Sequence, residues 1–141
     1  MPILQRLGPA DLRAALVAFR DVLHAHRHAI DRLNVFPVPD ADTGTNLYLT
    51  LDGVAAELER APDQMPGVAS AIARGAVMSA RGISGVITAQ MLRTLAERMA
   101  AVDPVDGAAL ARAFAAAAEA GRSAIARPVE GTILTVAREA A

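Results

Sequence analysis

The stretch Asn34–Asn46 reads Asn-Val-Phe-Pro-Val-Pro-Asp-Ala-Asp-Thr-Gly-Thr-Asn and differs from the rest of this 141-residue chain. It combines two prolines with two carboxylates, Asp40 and Asp42, and ends in a polar sequence that can open a helix. Proline rings disfavour helix at the residues before them, so the stretch predicts a loop between two helices. We expect any chemistry in the chain to be organised around Asp40 and Asp42.

The segments on both sides of this loop carry apolar residues at helical spacing. Before the loop, the pattern predicts a first helix that is capped by Asp11 and ends near Asn34, with Asp31 on its polar side. After the loop, a second helix begins at about Thr43 and ends at Ala61. Further helices are predicted at 66–80, from the break at 81–85 to about 101, from a cap at Asp106 to Ala126, and from about Thr132 to Ala141.

No segment alternates apolar and polar residues over a useful length, so no strand is predicted. Short loops between about six helices indicate an all-α fold, an antiparallel up-and-down helical barrel or bundle, in one domain over residues 1–141. The last helix carries no stop signal before Ala141. We therefore expect this domain to be incomplete, with further C-terminal helices and a lid absent from the sequence.

Composition excludes several classes of function. The formal net charge is −1 without a basic tract, which argues against nucleic-acid binding. No window reaches the roughly 18 apolar residues of a membrane span, and no secretory signal is visible, so the cytoplasm is the expected compartment. All 14 basic residues are arginine. A Walker A lysine, a Schiff-base lysine and a protein-kinase-type lysine are therefore excluded.

In an up-and-down array, successive loops alternate between the two ends of the bundle. The loops of unusual composition, at residues 34–43, 81–84 and 127–131, are the first, third and fifth, so they are expected at the same end. Each leads into a helix N-terminus, where free N–H groups and the helix dipole favour an anion. Phosphate is the expected occupant.

Two carboxylates beside phosphates require a bridging cation. Asp40 and Asp42 provide hard oxygen ligands of the kind that hold Mg²⁺ jointly with substrate phosphates. A calcium-binding EF-hand loop that starts at Asp40 would place Leu51 where the bidentate glutamate belongs, so that alternative fails. The remaining alternative is structural, with Asp42 serving as the N-cap of the second helix. His24, His26 and His28 are interpreted as solvated or packing residues rather than metal ligands.

Three segments together resemble the DhaL/Dak2 nucleotide-binding family, and most closely the N-terminal ATP-binding domain of bacterial fatty acid kinase. These segments are Leu33–Asn46, Ala80–Val86 (Ala-Arg-Gly-Ile-Ser-Gly-Val) and Pro128–Val136 (Pro-Val-Glu-Gly-Thr-Ile-Leu-Thr-Val), and they occur in the family's order. The resemblance implies an α-helical barrel that binds ATP or ADP through two Mg²⁺ ions at one end.

The resemblance also assigns residues by position. Asp40 and Asp42 would be metal ligands, and Asn34 is a candidate for a third through its amide oxygen. The residues assigned to the nucleotide and its phosphates are Thr43, Thr45, Asn46, Ser84, Gly85, Thr132 and Ile133. No catalytic residue beyond the metal ligands is implied, because a carboxylate acceptor is already nucleophilic and the reaction depends on positioning and charge neutralisation.

The implied activity is a kinase that phosphorylates a fatty acid carboxylate, which a separate fatty-acid-binding partner protein presents, to give an acyl phosphate. One alternative is a dihydroxyacetone-kinase-like phosphotransfer subunit, and another is a non-catalytic helical interaction domain. A homo-oligomer is left open. The sequence departs from the family at two positions. Ala41 replaces the usual glycine between the carboxylates, and Val35 stands where DhaL subunits carry a third aspartate.

Overall fold

The structure is a computed structural model that describes residues 3–35 and 38–141. The described residues form six α-helices and no strand, which confirms the all-α prediction. The helices are α1 (Pro9–Leu33), α2 (Thr43–Arg60), α3 (Met65–Ser79), α4 (Gly82–Ala100), α5 (Gly107–Ser123) and α6 (Ile133–Ala140).

Helix α1 begins three residues earlier than predicted, so the assignment of Asp11 as its cap is wrong. Gly8 occupies the N-cap position and Pro9 follows it, which suits proline because the first helical N–H needs no partner within the helix. The Asp11 carboxylate instead accepts a hydrogen bond from the Gly8 N–H at 2.8 Å. This is the capping-box hydrogen bond in which the side chain of the third helical residue accepts from the N–H of the N-cap residue.

Two other helix ends differ from the prediction. Helix α4 begins at Gly82, so Ser84 and Gly85 lie in its first turn rather than in a loop. Helix α5 ends at Ser123 instead of Ala126. Its predicted cap is confirmed, because the Asp106 carboxylate accepts a hydrogen bond from the Ala109 N–H at 2.8 Å.

Helices that follow each other in the chain pack side by side, and α2 also packs against α4. Helix α2 is central to the core, where Leu51, Val54 and Leu58 are at most 1% exposed. The start of α1 meets the end of α2, where the Arg13 guanidinium donates to the carbonyls of Leu58 and Ala61. The end of α1 therefore meets the start of α2, which puts the loop at 34–42 at the opposite end of the bundle.

Helix α6 is the shortest helix and packs against α5. None of its residues is buried, although Ile133 at its start is partly buried against the core. Among the helices in the described ranges, none is long and apolar enough to cross a membrane.

Helices α2 and α3 approach each other closely at Gly75. A Cβ atom at this position would lie 2.8 Å from the Val54 Cα and 3.0 Å from the Gly53 carbonyl oxygen, both backbone atoms that cannot move aside locally. The absence of a side chain at Gly75 therefore sets the distance between the two helices.

We expect Gly75→Ala to lower the free energy of unfolding by about 1–3 kcal/mol, because the added methyl group overpacks this contact. The control is Gly107→Ala, since a Cβ at Gly107 meets no atom within 4 Å. That substitution should leave stability unchanged or raise it by up to about 1 kcal/mol through helix propensity. Urea denaturation measures both, and equal stabilities would contradict the α2–α3 packing.

Candidate functional site

The two predicted metal ligands lie in the loop between α1 and α2. Asp40 and Asp42 are both exposed, and neither forms a salt bridge with another described residue. Two other residues of the same motif, Phe36 and Pro37, lie outside the described residues. Because Asp40 and Asp42 are exposed and form no salt bridge with a described residue, their carboxylates are accessible to a cation.

Ala41 adopts the left-handed backbone conformation between these carboxylates, with φ of 55°. This region is reached without penalty by glycine and costs other residues roughly 1–2 kcal/mol. Ala41 thus takes a conformation that favours glycine, the residue that is usual at this position in the family.

The Asn34 side chain reaches across the loop to Asp40. Its amide nitrogen donates to Asp40 Oδ1 at 2.9 Å and to the Val38 carbonyl at 2.8 Å. The group that faces Asp40 is therefore the amide nitrogen. A ligand role for the Asn34 amide oxygen stays a prediction, whereas its contact with the Asp40 carboxylate is a feature of the structure.

Asp42 occupies the N-cap position of α2, but its carboxylate accepts no capping hydrogen bond. The structural alternative, in which Asp42 serves only to cap α2, is thus not what the structure shows. The capping bonds come from Asp31 in the last turn of α1.

Asp31 connects α1 to the start of α2. The prediction that it lies on the polar, solvated side of α1 is wrong. Asp31 is only 8% exposed. Its Oδ1 accepts a hydrogen bond from the Thr45 N–H at 2.9 Å, and its Oδ2 accepts one from the Thr45 hydroxyl at 2.6 Å. Burial alone would raise the pKa of Asp31. The hydrogen bonds from Thr45 and the nearby Gly44 N–H together lower the pKa by a larger amount, so it lies below its ordinary value.

The contact depends on Gly44. A Cβ atom at Gly44 would lie 2.1 Å from the Arg27 carbonyl oxygen, so the backbones of α1 and α2 touch at this point. This approach brings Asp31 within hydrogen-bond distance of Thr45. As a result, the N–H and hydroxyl groups of Thr45, which the sequence assigned to phosphate, are engaged by Asp31 in this structure. The phosphate role of Thr45 stays a prediction.

The first and second motifs lie against each other. A Cβ atom at Gly82 would be 2.6 Å from the Asn46 side-chain nitrogen, and one at Gly85 would be 2.6 Å from the Thr50 hydroxyl oxygen. The Thr50 hydroxyl donates to the Asn46 carbonyl at 2.8 Å and accepts from the Arg81 N–H at 3.2 Å. The N-termini of α2 and α4 are therefore adjacent, with Ser84 half-buried in the first turn of α4.

The third motif is organised locally. Thr132 caps α6 by accepting a hydrogen bond from the Leu134 N–H at 3.3 Å. The Glu130 carboxylate accepts hydrogen bonds from the Thr135 hydroxyl and the Arg138 guanidinium, both at 2.8 Å. The side-chain hydrogen bonds of Thr132 and Glu130 stay within the segment 129–138, and none joins a described residue of the other two motifs.

No group of three or more His, Cys, Asp or Glu side chains that could hold a metal is present in ranges 3–35 and 38–141. The His24 ring packs 4.8 Å from the Tyr48 ring. His28 lies 3.9 Å from the Asp31 carboxylate. Asp40 and Asp42 could supply two ligands, and a cation held there would take its other oxygens from a bound phosphate and water.

A family profile for the DAK2 domain matches residues 37–141. The chain belongs to the DAK2 domain family. Domains of this family are associated with kinases and bind nucleotide. The match covers the first motif from Pro37 onward and the second and third motifs in full. The six-helix bundle is consistent with the fold of this family.

Similar proteins occur in bacteria. The chain is 42% identical over 120 residues to the protein YloV of Bacillus subtilis. It is 41% identical over 120 residues to an uncharacterised protein of Staphylococcus saprophyticus, and 42% identical over 113 residues to one of Staphylococcus haemolyticus. These matches cover 84%, 84% and 79% of this chain but 22%, 22% and 20% of the three relatives. The chain thus spans about a fifth of the length of the curated relatives it matches.

The backbone conformation of Ala41 can be tested by substitution. Ala41→Gly removes the left-handed cost of roughly 1–2 kcal/mol and adds about 0.4–1 kcal/mol of unfolded-state entropy. We therefore expect stability to be unchanged or slightly raised, whereas Ala41→Val should lower it by more than about 1 kcal/mol because a β-branched residue is disfavoured there. Urea denaturation measures both variants.

The control is Ala18→Gly, at an exposed position within α1. Glycine costs about 1 kcal/mol in a regular helix, so this variant should be destabilised. An equal loss for Ala41→Gly and Ala18→Gly would show that residue 41 does not adopt a left-handed conformation.

Proposed function

We propose that this domain binds ATP or ADP together with Mg²⁺ at the end of the bundle where α2 and α4 begin. The observation that carries the proposal is that the Asp40 and Asp42 carboxylates are exposed and, among residues 3–35 and 38–141, form no salt bridge and no helix cap, next to two adjacent helix N-termini. In a family associated with nucleotide binding, free carboxylates at such a position suit a cation that bridges them to phosphate.

We propose separate roles for the residues of the loop and for those of the helix N-termini. Asp40 and Asp42 would hold one or both of two Mg²⁺ ions, with Asn34 orienting Asp40 through its amide nitrogen. Mg²⁺ would neutralise charge on the phosphates. The residues proposed to contact the nucleotide and phosphates are Thr43, Thr45, Asn46, Ser84, Gly85, Thr132 and Ile133.

The proposed reaction is phosphorylation of a fatty acid carboxylate that a fatty-acid-binding partner protein presents. A carboxylate oxygen attacks the γ-phosphorus of ATP, the bond from that phosphorus to the ADP oxygen breaks, and the products are an acyl phosphate and ADP. The acceptor is already ionised, so no side chain has to remove a proton. This proposal includes action in the cytoplasm and rests on the resemblance of the motifs. A dihydroxyacetone-kinase-like phosphotransfer subunit is the second candidate within the same family.

Substitution of the two carboxylates tests the proposed site. Asp40→Asn and Asp42→Asn should each weaken Mg²⁺-dependent ADP binding by about tenfold or more, since even the hydrogen-bond partners of metal ligands contribute 10–100-fold. Isothermal titration calorimetry with ADP, in the presence and absence of Mg²⁺, measures the effect. Asp63→Asn, in the exposed α2–α3 loop at the other end of the bundle, is the matched control and should bind like the wild type.

Unchanged affinity in both site variants would remove the ligand assignments. If the wild type shows no Mg²⁺-dependent binding of ADP, the proposed function is wrong for this domain, and a non-catalytic helical interaction domain becomes the better interpretation.

A further inference from the structure

We infer that Asp31 is a positioning residue of the candidate metal site, because it caps α2 from the neighbouring helix and thereby leaves the Asp42 carboxylate free for a cation. This inference rests on the proposed function, since it concerns the same site. It assigns to Asp31 an indirect role, in which the carboxylate touches α2 and not the cation.

The first observation is which amides Asp31 serves. A residue at the N-cap position normally accepts a hydrogen bond from the second or third N–H group of its helix. In α2, where Asp42 is the N-cap residue, these groups belong to Gly44 and Thr45. The Thr45 N–H donates to Asp31 Oδ1 instead, at 2.9 Å. A helix N–H that Asp42 could accept as the N-cap residue is therefore already bonded to a residue of another helix.

The second observation is that Asp31 is buried, so its carboxylate depends on hydrogen bonds within the protein. A buried carboxylate is costly unless it is hydrogen-bonded, and Asp31 receives bonds from the Thr45 N–H and the Thr45 hydroxyl. The positive end of the α2 dipole lies at the same place and favours its charge. No buried side-chain nitrogen or oxygen in the described part of the chain lacks a hydrogen-bond partner.

The third observation is that Asp40 and Asp42 differ in their hydrogen-bond partners. Asp42 is exposed and accepts no capping bond, while Asp40 is held by the Asn34 amide nitrogen at 2.9 Å. Asp31 lies in the last turn of α1 and Asn34 is the C-cap residue of the same helix, so the end of α1 contacts both Asp40 and the start of α2. Without Asp31, the Thr45 amide would lose its acceptor, and Asp42 would be the carboxylate placed to cap it in competition with a cation.

Mn²⁺ binding, followed by electron paramagnetic resonance with and without ADP, tests the inference. Asp31→Ala should weaken Mn²⁺ binding by about tenfold, because Asp42 is diverted to the helix cap. Asp31→Asn should stay within about threefold of the wild type, because its amide oxygen still accepts hydrogen bonds from the α2 amides. Asp40→Asn provides the reference for loss of a direct ligand.

Two controls separate positioning from a general loss of structure. Gly75→Ala destabilises the α2–α3 contact away from the loop and should bind Mn²⁺ like the wild type. Asp52→Asn removes an exposed carboxylate of α2 that pairs with Arg20 at 3.6 Å, and it should also bind normally. If Gly75→Ala and Asp31→Ala lose affinity together, Asp31 acts only through stability and the inference is overturned.

A thermal measurement without metal covers the case in which Asp31→Ala does not fold. Asp106→Ala removes a true N-cap and should lower the Tm by about 2–6 °C. Asp42→Ala should lower it by no more than about half as much, because Asp42 forms no cap. Equal losses would show that Asp42 caps α2 and would overturn the inference.

The outcomes also separate this inference from the proposed function. If the wild type binds no Mn²⁺ in either condition, both are overturned. If the wild type binds and Asp31→Ala binds equally well, only the positioning role is overturned. If Asp31→Asn loses as much affinity as Asp40→Asn, Asp31 is itself a ligand and its indirect role is wrong.

Discussion

The hydrogen bonds from Thr45 to the buried Asp31 carboxylate connect the end of α1 to the start of α2, and the arrangement of the site depends on them. They hold together the two ends of the loop that carries Asp40 and Asp42, and one of them satisfies the Thr45 amide in the first turn of α2. The close approach of Gly44 to the Arg27 carbonyl makes the contact geometrically feasible. Because this contact caps α2, the acidic residues of the loop remain open to a ligand.

The parts of the fold that were predictable from sequence are those determined by local patterns. Apolar spacing located all six helices, and the short polar side chain of Asp106 located the cap of α5. The start of α1 was misplaced because Asp11 suits both the N-cap and the third position of a helix, and only Gly8 and Pro9 together distinguish the two. Gly82 was placed in a loop, although only Ala80 and Arg81 separate α3 from α4.

Asp31 was missed for a different reason. Its partner Thr45 is 14 residues away on another helix, so its burial results from tertiary packing and leaves no mark in the periodicity of α1. The same limit applies to the contact between Asn46 and Gly82. The alternation of loops between the two ends of the bundle predicted that their segments share an end, but it could not predict which atoms meet. Membership in the DAK2 domain family agrees with the three motifs, whereas the ligand roles of individual residues depend on the proposals above.

The most direct test of the account is nuclear magnetic resonance of the wild-type domain with ADP and substoichiometric Mn²⁺, which broadens the signals of amides close to the ion. The account predicts that the amides of residues 40–43 broaden first and those of 82–85 next, while those around Asp63 and Asp103, at the opposite end of the bundle, stay sharp. Strongest broadening around Asp63 or Asp103, or equal broadening at both ends, would contradict it.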